Sequence, residues 1–229
     1  MTPWSAILAA ALLAVSAADR GQLEDARDRQ DRAYLRRMAD ELGEAARKAP
    51  SDARAQYRLA LAESYVAEVA LELHDKDAAR SAAEAGIRAA EKAVALQPNV
   101  AEHQRILGTL CGQAIPADLW LAFKYGHCAR AAIDKAIELD PKSASAYLSR
   151  GVGNYYLPPA LGGGVELAIR DFERALQLDP QSADARLWLG IALRRAHRNA
   201  EARKEISKSL ALNPRRIWAR QQLEKTPAQ

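Results

Sequence analysis

The chain has 229 residues, with 33 Lys and Arg against 29 Asp and Glu, and a formal net charge of +4. That length suits one domain or a single repeat array. Alanine is abundant and there are two phenylalanines, which favours an all-helical class over a sheet.

Residues 1–18 hold an apolar run from Ala6 to Val15, followed by the small-residue pattern Val15-Ser16-Ala17. This has the form of a signal peptide, although no Lys or Arg precedes the run. The run is too short to span a bilayer. The expectation is an exported, periplasmic or secreted protein with its N-terminus near Ala18 or Asp19. An uncleaved apolar helix in a cytoplasmic protein is the alternative. Residues 19–49 read as one long charged helix with Leu23, Ala26, Tyr34, Met38, Leu42 and Ala45 as its inner stripe. Acidic and basic residues balance there, as on a solvated face of a packing helix.

A short phrase then recurs. Ala45 to Pro50, Ala93 to Pro98, Ala136 to Pro141, Ala175 to Pro180 and Leu212-Asn213-Pro214 all end an apolar helical stripe on proline. Proline cannot continue a helix interior, so each marks the gap between two helices. Between Pro180 and Pro214, Ala185, Leu189, Ala192 and Leu193 recur at helical spacing, as do Ala202, Ile206 and Leu210. Ser182 or Asp184 can cap the first of these helices and Asn199 the second. Gly190 and Ala202 are small enough to let the two backbones approach closely. The two prolines are 34 residues apart, and this unit resembles a tetratricopeptide (TPR) repeat. Leu59-Ala60, Leu107-Gly108 and the variant Arg150-Gly151 mark further copies, and the resemblance is strong for the last two units and weaker for the first two.

The resemblance implies an all-α, right-handed superhelical solenoid over residues 50–214. Its units are 50–97, 98–140, 141–179 and 180–213, followed by a capping helix and tail over 214–229. The prolines at 50, 98, 141, 180 and 214 are separated by 48, 43, 39 and 34 residues, so the first three units carry 14, 9 and 5 extra residues. These additions are expected to lengthen both helices of each hairpin, tapering the array.

Such repeats are binding scaffolds. In the family the first helix of each hairpin lines the concave side. That places Arg54, Tyr57, Leu61 and Tyr65 in the groove, then Arg105, Thr109 and Gln113, then Leu148, Val152, Tyr155 and Tyr156, then Leu187, Ile191, Arg194 and Arg195. The tyrosines and arginines, Tyr57, Tyr65, Arg105, Tyr155, Tyr156, Arg194 and Arg195, are the candidate partner-binding residues. Tyr155, Tyr156, Arg194 and Arg195 are expected to form one patch. The Lys and Asn pattern of family members that clamp chaperone tails is absent from these positions.

From Ala185 onward there are eleven Lys and Arg and three acids, a net of +8, leaving −4 for the rest. The excess reads either as a solvated helix surface or as attraction for an acidic protein, a phospholipid surface or nucleic acid. Nucleic acid is disfavoured, because no aromatic-basic motif accompanies the charge. Cys111 and Cys128 lie on the facing helices of one hairpin, where a disulfide and two small buried thiols are both compatible with the spacing. The four histidines are scattered, so no metal site is expected. No cofactor motif and no nucleophile with a credible base occur, and Gly162-Gly163-Gly164 lacks the strand and Lys of a phosphate loop. The stretch from Asn154 to Gly164 resembles a loop of exported TPR proteins that partner TRAP-type solute transporters. The sequence therefore points to a non-enzymatic exported scaffold for a protein or peptide in cell-envelope assembly. The alternative is a solute-binding or accessory subunit of a transport system.

Overall fold

The computed structural model describes residues 20–117 and 120–228, so the leader lies outside the described residues. Eleven α-helices and no strand occur among the described residues. Helix α1 (20–28) leads to α2 (Arg32–Lys48). The four hairpins are α3 (Ala53–Glu72) with α4 (Lys76–Leu96), α5 (Ala101–Ala114) with α6 (Trp120–Leu139), α7 (Ala144–Tyr156) with α8 (Val165–Leu178), and α9 (Ala183–Arg195) with α10 (Asn199–Leu212). Helix α11 (Ile217–Glu224) closes the array. The architecture is a TPR solenoid.

Residues 19–49 are not one helix. Gln30 takes φ +54°, and Asp31 then caps α2 by accepting a hydrogen bond from the Tyr34 amide. The Asp31 amide closes the turn on the Ala26 carbonyl at 2.8 Å. The Asp75 amide does the same to Ala70 at 2.8 Å, and the Arg198 amide to Leu193 at 2.9 Å, with His74 and His197 in the same left-handed conformation. The N-terminal segment is therefore a further hairpin with the repeats' own turn. The break lets Leu23 and Ala26 fold onto Leu35, Ala39 and Leu42 of α2 and onto Ala62 and Val69 of α3. A straight helix would leave those side chains in water.

The extra residues are spent differently in each unit. Helices α3 and α4 have 20 and 21 residues against 13 and 14 for α9 and α10, so the first insertion extends both. In the second unit α6 reaches 20 residues while α5 has 14. In the third unit α7 and α8 have 13 and 14 residues, so the insertion forms the connector after Leu157. Its Gly162 and Gly164 have φ of +81° and +114°, conformations open to glycine, and the Gly164 amide donates to the Asn154 carbonyl at 2.8 Å. Leu161 faces outward, 66% exposed, so the connector is tight but carries no apolar plug at that residue.

Small residues set the hairpin seams. A Cβ on Gly190 would lie 2.4 Å from Ile206 Cγ1 and 2.9 Å from the Ala202 carbonyl oxygen. Ser182 caps α9 through the Ala185 amide, whereas α10 begins at Asn199 itself, with Arg198 in the cap position making no side-chain cap bond. Cys111 and Cys128 are bonded to each other across α5 and α6, with their Cα atoms 6.0 Å apart.

Candidate functional site

The first helices of the hairpins bring their polar faces together. Tyr57 Oη donates to Glu102 Oε1 at 2.9 Å and accepts from Arg20 at 3.0 Å. Arg105 grips both oxygens of Glu102, at 2.7 and 2.6 Å. It also reaches Ser149 of α7 at 3.4 Å. Burial pushes the Tyr57 hydroxyl up to about 12, with Glu102 adding to the effect. Burial also acts to raise Glu102, but Arg105 outweighs it and holds that carboxyl below its ordinary range. Tyr65 donates to Glu24 at 3.3 Å and lies under the Arg27 guanidinium, 5.4 Å from its centroid. Tyr57, Tyr65 and Arg105 are thus engaged by neighbouring side chains, two of them by α1.

The expected four-residue patch divides. Tyr155 and Tyr156 pack edge to face at 5.1 Å, and both meet Trp188, at 5.9 and 6.2 Å. Trp218 of α11 extends the stack at 5.2 Å from Trp188. Arg195 donates to the Tyr155 carbonyl at 2.6 Å, and its guanidinium lies 4.8 Å from the Tyr155 centroid. Tyr156 is 60% exposed. Arg194 leaves the patch. It bonds the carbonyl and side chain of Gln222 at 3.1 and 2.7 Å and Thr226 Oγ1 at 3.2 Å. It ties the C-terminal tail to α9, because the last carbonyls of α11 need donors.

A second centre lies where the two ends of the array meet. Arg27 of α1 pairs with Asp184 of α9 at 2.8 Å, and Asn213 donates to Asp28 at 2.6 Å. Arg216 is 1% exposed; it pairs with Glu68 at 2.7 Å and with Glu72, both on α3. Arg215 pairs with Asp25 at 2.7 Å. Burial raises Glu72 to about 7 against the pull of Arg216, and raises Glu68 against Arg27 and Arg216. Burial also opposes ionisation of Asp184, but Arg27 and Arg216 outweigh it and lower that group. None of Asp25, Asp28, Glu68, Glu72, Asp184 or Arg216 was singled out from sequence as a site residue. The i, i+4 carboxylates Glu68 and Glu72 were visible, but nothing local pairs them with an arginine 148 and 144 residues away.

The basic C-terminal excess is largely engaged within the fold. Arg186 and Lys208 both pair with Glu205, Arg198 with Glu201, and Arg203 with the Leu223 and Thr226 carbonyls. Among the described residues no group of three or more metal-ligating side chains occurs, and no helix is long and apolar enough to cross a membrane.

A family model described as regulator of microtubule dynamics protein 1-3 matches residues 15–157. The chain belongs to this family. A tetratricopeptide-repeat model matches residues 162–216, so the two together take in nearly all the described helices of this family member. Among solved structures, a thermophilic TPR protein of Thermus thermophilus superposes with a TM-score of 0.61 at 19% identity, over 88% of this chain and 97% of that one. YrrB, titled a TPR protein with an unusual peptide-binding site, gives 0.44 at 18% identity over 81% and 99%. MamA gives 0.44 at 20% identity over 78% and 88%. At such identities the likeness concerns the fold alone. No curated protein matches the chain significantly.

Proposed function

We propose that the chain is a non-enzymatic exported scaffold that binds a protein or peptide partner along its concave side, in cell-envelope assembly. The observation that carries this reading is the aromatic stack of Tyr155, Tyr156, Trp188 and Trp218 flanked by Arg195, with Tyr156 left largely exposed. Rigid aromatic rings and a guanidinium are the side chains that anchor protein interfaces. The family description, which names regulators of microtubule dynamics, supports a protein surface over a small solute as the partner. The Cys111–Cys128 bond supports export, since disulfides persist in oxidising compartments. A partner drawn in by bulk positive charge is less favoured than the sequence suggested, because most of those bases are already paired. The second reading, an accessory subunit of a transport system, rests on the shaped connector that presents Leu161 to solvent.

A photoreactive benzoylphenylalanine at position 156, in the chain expressed in its own cell, tests the scaffold. The expected result is a covalent adduct with one distinct protein, absent when the same group stands at exposed Lys204. No adduct, or the same adduct from both positions, overturns the reading. Intact-mass measurement of that material checks export: a mature N-terminus near Ala18 or Asp19 is expected, and a pool retaining Met1 refutes it.

A further inference from the structure

In a solenoid each repeat ordinarily touches only its neighbours. Here the first and last hairpins also meet, and their contact has a distinct character. The apolar cluster of α1, α2 and α3 and those built from α7 to α11 have no residue in common among the described residues. What joins the ends is polar: Arg27 to Asp184, Asn213 to Asp28, Arg215 to Asp25, Arg216 to Glu68 and Glu72, and Gln221 beside Gln30. Charged contacts of this kind roughly balance attraction against desolvation, so they close a gap without welding it. The N-terminal side sets four carboxylates, Asp25, Asp28, Glu68 and Glu72, around the dipeptide Arg215-Arg216; Asp25 and Asp28 also pair with the neighbouring Arg29 and Arg27 at 2.7 Å each, which leaves Glu68 and Glu72 with Arg216 as their closest cation. The fit is incomplete: Arg216 Nε is buried with no hydrogen-bond acceptor, its nearest carboxylate oxygens lying 3.6 and 3.9 Å away.

We propose that the carboxylate face of α1 and α3 is a binding site for a partner polypeptide segment bearing two consecutive arginines, held in the resting molecule by the chain's own Arg215-Arg216. Forked guanidinium groups match paired carboxylates in a way an ammonium does not. The tether gives the internal arginines a high effective concentration, so they dominate until a partner docked elsewhere on the same molecule brings its own pair close. This deepens the scaffold reading and rests on it. It adds the chemistry of the partner segment and makes the closure of the array the element that the partner opens.

The probe is a fluorescent peptide of residues 211–218, acetylated and amidated, titrated into the full chain. Wild type is expected to bind it weakly. Arg215→Gln with Arg216→Gln is expected to bind at least tenfold more tightly, and Glu68→Gln with Glu72→Gln in that background is expected to abolish the gain. A control peptide with both arginines replaced by glutamine is expected not to bind. If the double Gln variant loses its helical circular dichroism, Arg216→Lys is read instead, with the same expected gain over wild type. A folded variant that binds no tighter than wild type overturns the proposal. So does a variant that excludes the peptide by self-associating in light scattering, since the occupant is then a second copy. Peptide binding without an adduct at position 156 sinks the scaffold's aromatic anchor and leaves this site standing; the reverse result does the opposite.

Discussion

The seam between α9 and α10 and the seam between α11 and α3 hold the same molecule together by opposite means. At the first, Gly190 meets Ala202 and Ile206, side chains without charge, and closeness itself is the stabilising factor. At the second, Arg216 is as buried as any core residue, yet its partners are Glu68 and Glu72. The apolar seam joins residues a few turns apart in the chain, and Gly108 against Ile133 and Gly151 against Phe172 repeat it. The ionic seam joins the ends of the array, whereas ion pairs such as Arg36–Glu63, Arg150–Asp171 and Arg186–Glu205 join neighbouring helices. An apolar seam tolerates little change of shape, whereas an ionic seam tolerates little loss of a partner. The difference suits a scaffold whose hairpins stay rigid while their closure stays adjustable.

The strongest way to break this contrast is Arg216→Ala. It leaves the buried side chain of Glu72 without its cation, and Glu68 with Arg27 alone at 4.0 Å, at a cost of about 3–5 kcal/mol. The cost is expected to depend on pH. Glu72 titrates at about 7 when folded, above its ordinary 4.5, so its contribution to stability is fully present below about 4.5 and is lost as pH rises through 7. Removing Arg216 penalises the ionised form further, so the deficit should be larger at pH 8 than at pH 5. Asp184 has the opposite sign: its folded value is lowered, so its contribution is lost only in more acid solution and stays constant across that window. Urea unfolding at the two pH values checks this, and equal deficits would refute it.

Gly190→Leu sharpens the apolar side. The added side chain has no room against Ile206 and the Ala202 carbonyl, and a loss of about 1–3 kcal/mol is expected, without the pH dependence of Arg216→Ala. An unchanged melting temperature would show that the helices do not touch there.

The smallest effects separate two adjacent arginines. Changing Arg194 and Arg195 together is not neutral to folding, because Arg194 anchors Gln222 and Thr226. Arg194→Ala is expected to cost about 1 kcal/mol, the usual net worth of such hydrogen bonds. Arg195→Ala is expected to cost a few tenths at most, as for exposed charges, while weakening whatever is captured at position 156. Thermal melts of the two single variants decide the order, and the reverse order would return Arg194 to the partner-binding patch.

The prolines at the ends of the units, the small residues at the seams and the 3.6-residue stripes were enough to read an all-helical TPR array, because those features act between residues near in sequence. Cys111 and Cys128 could be placed on facing helices for the same reason, though the spacing left bond and thiols equally open. The N-terminal hairpin is hidden in the sequence because Gln30 carries no glycine or proline signal; its turn shows only in the likeness of Gln30-Asp31 to His74-Asp75. The placement of the extra residues also escaped, since helical composition does not reveal whether a connector such as Leu157 to Gly164 will stay extended. Of the expected four-residue patch, Tyr155, Tyr156 and Arg195 lie in contact, whereas Arg194 turns to Gln222, because its direction depends on where α11 docks. The ionic closure was beyond reach. Charge pairing between residues as far apart in the chain as Glu72 and Arg216, or Asp25 and Arg215, depends on how far the superhelix curves, and that curvature is the sum of small rotations at every seam, settled only when the array is packed.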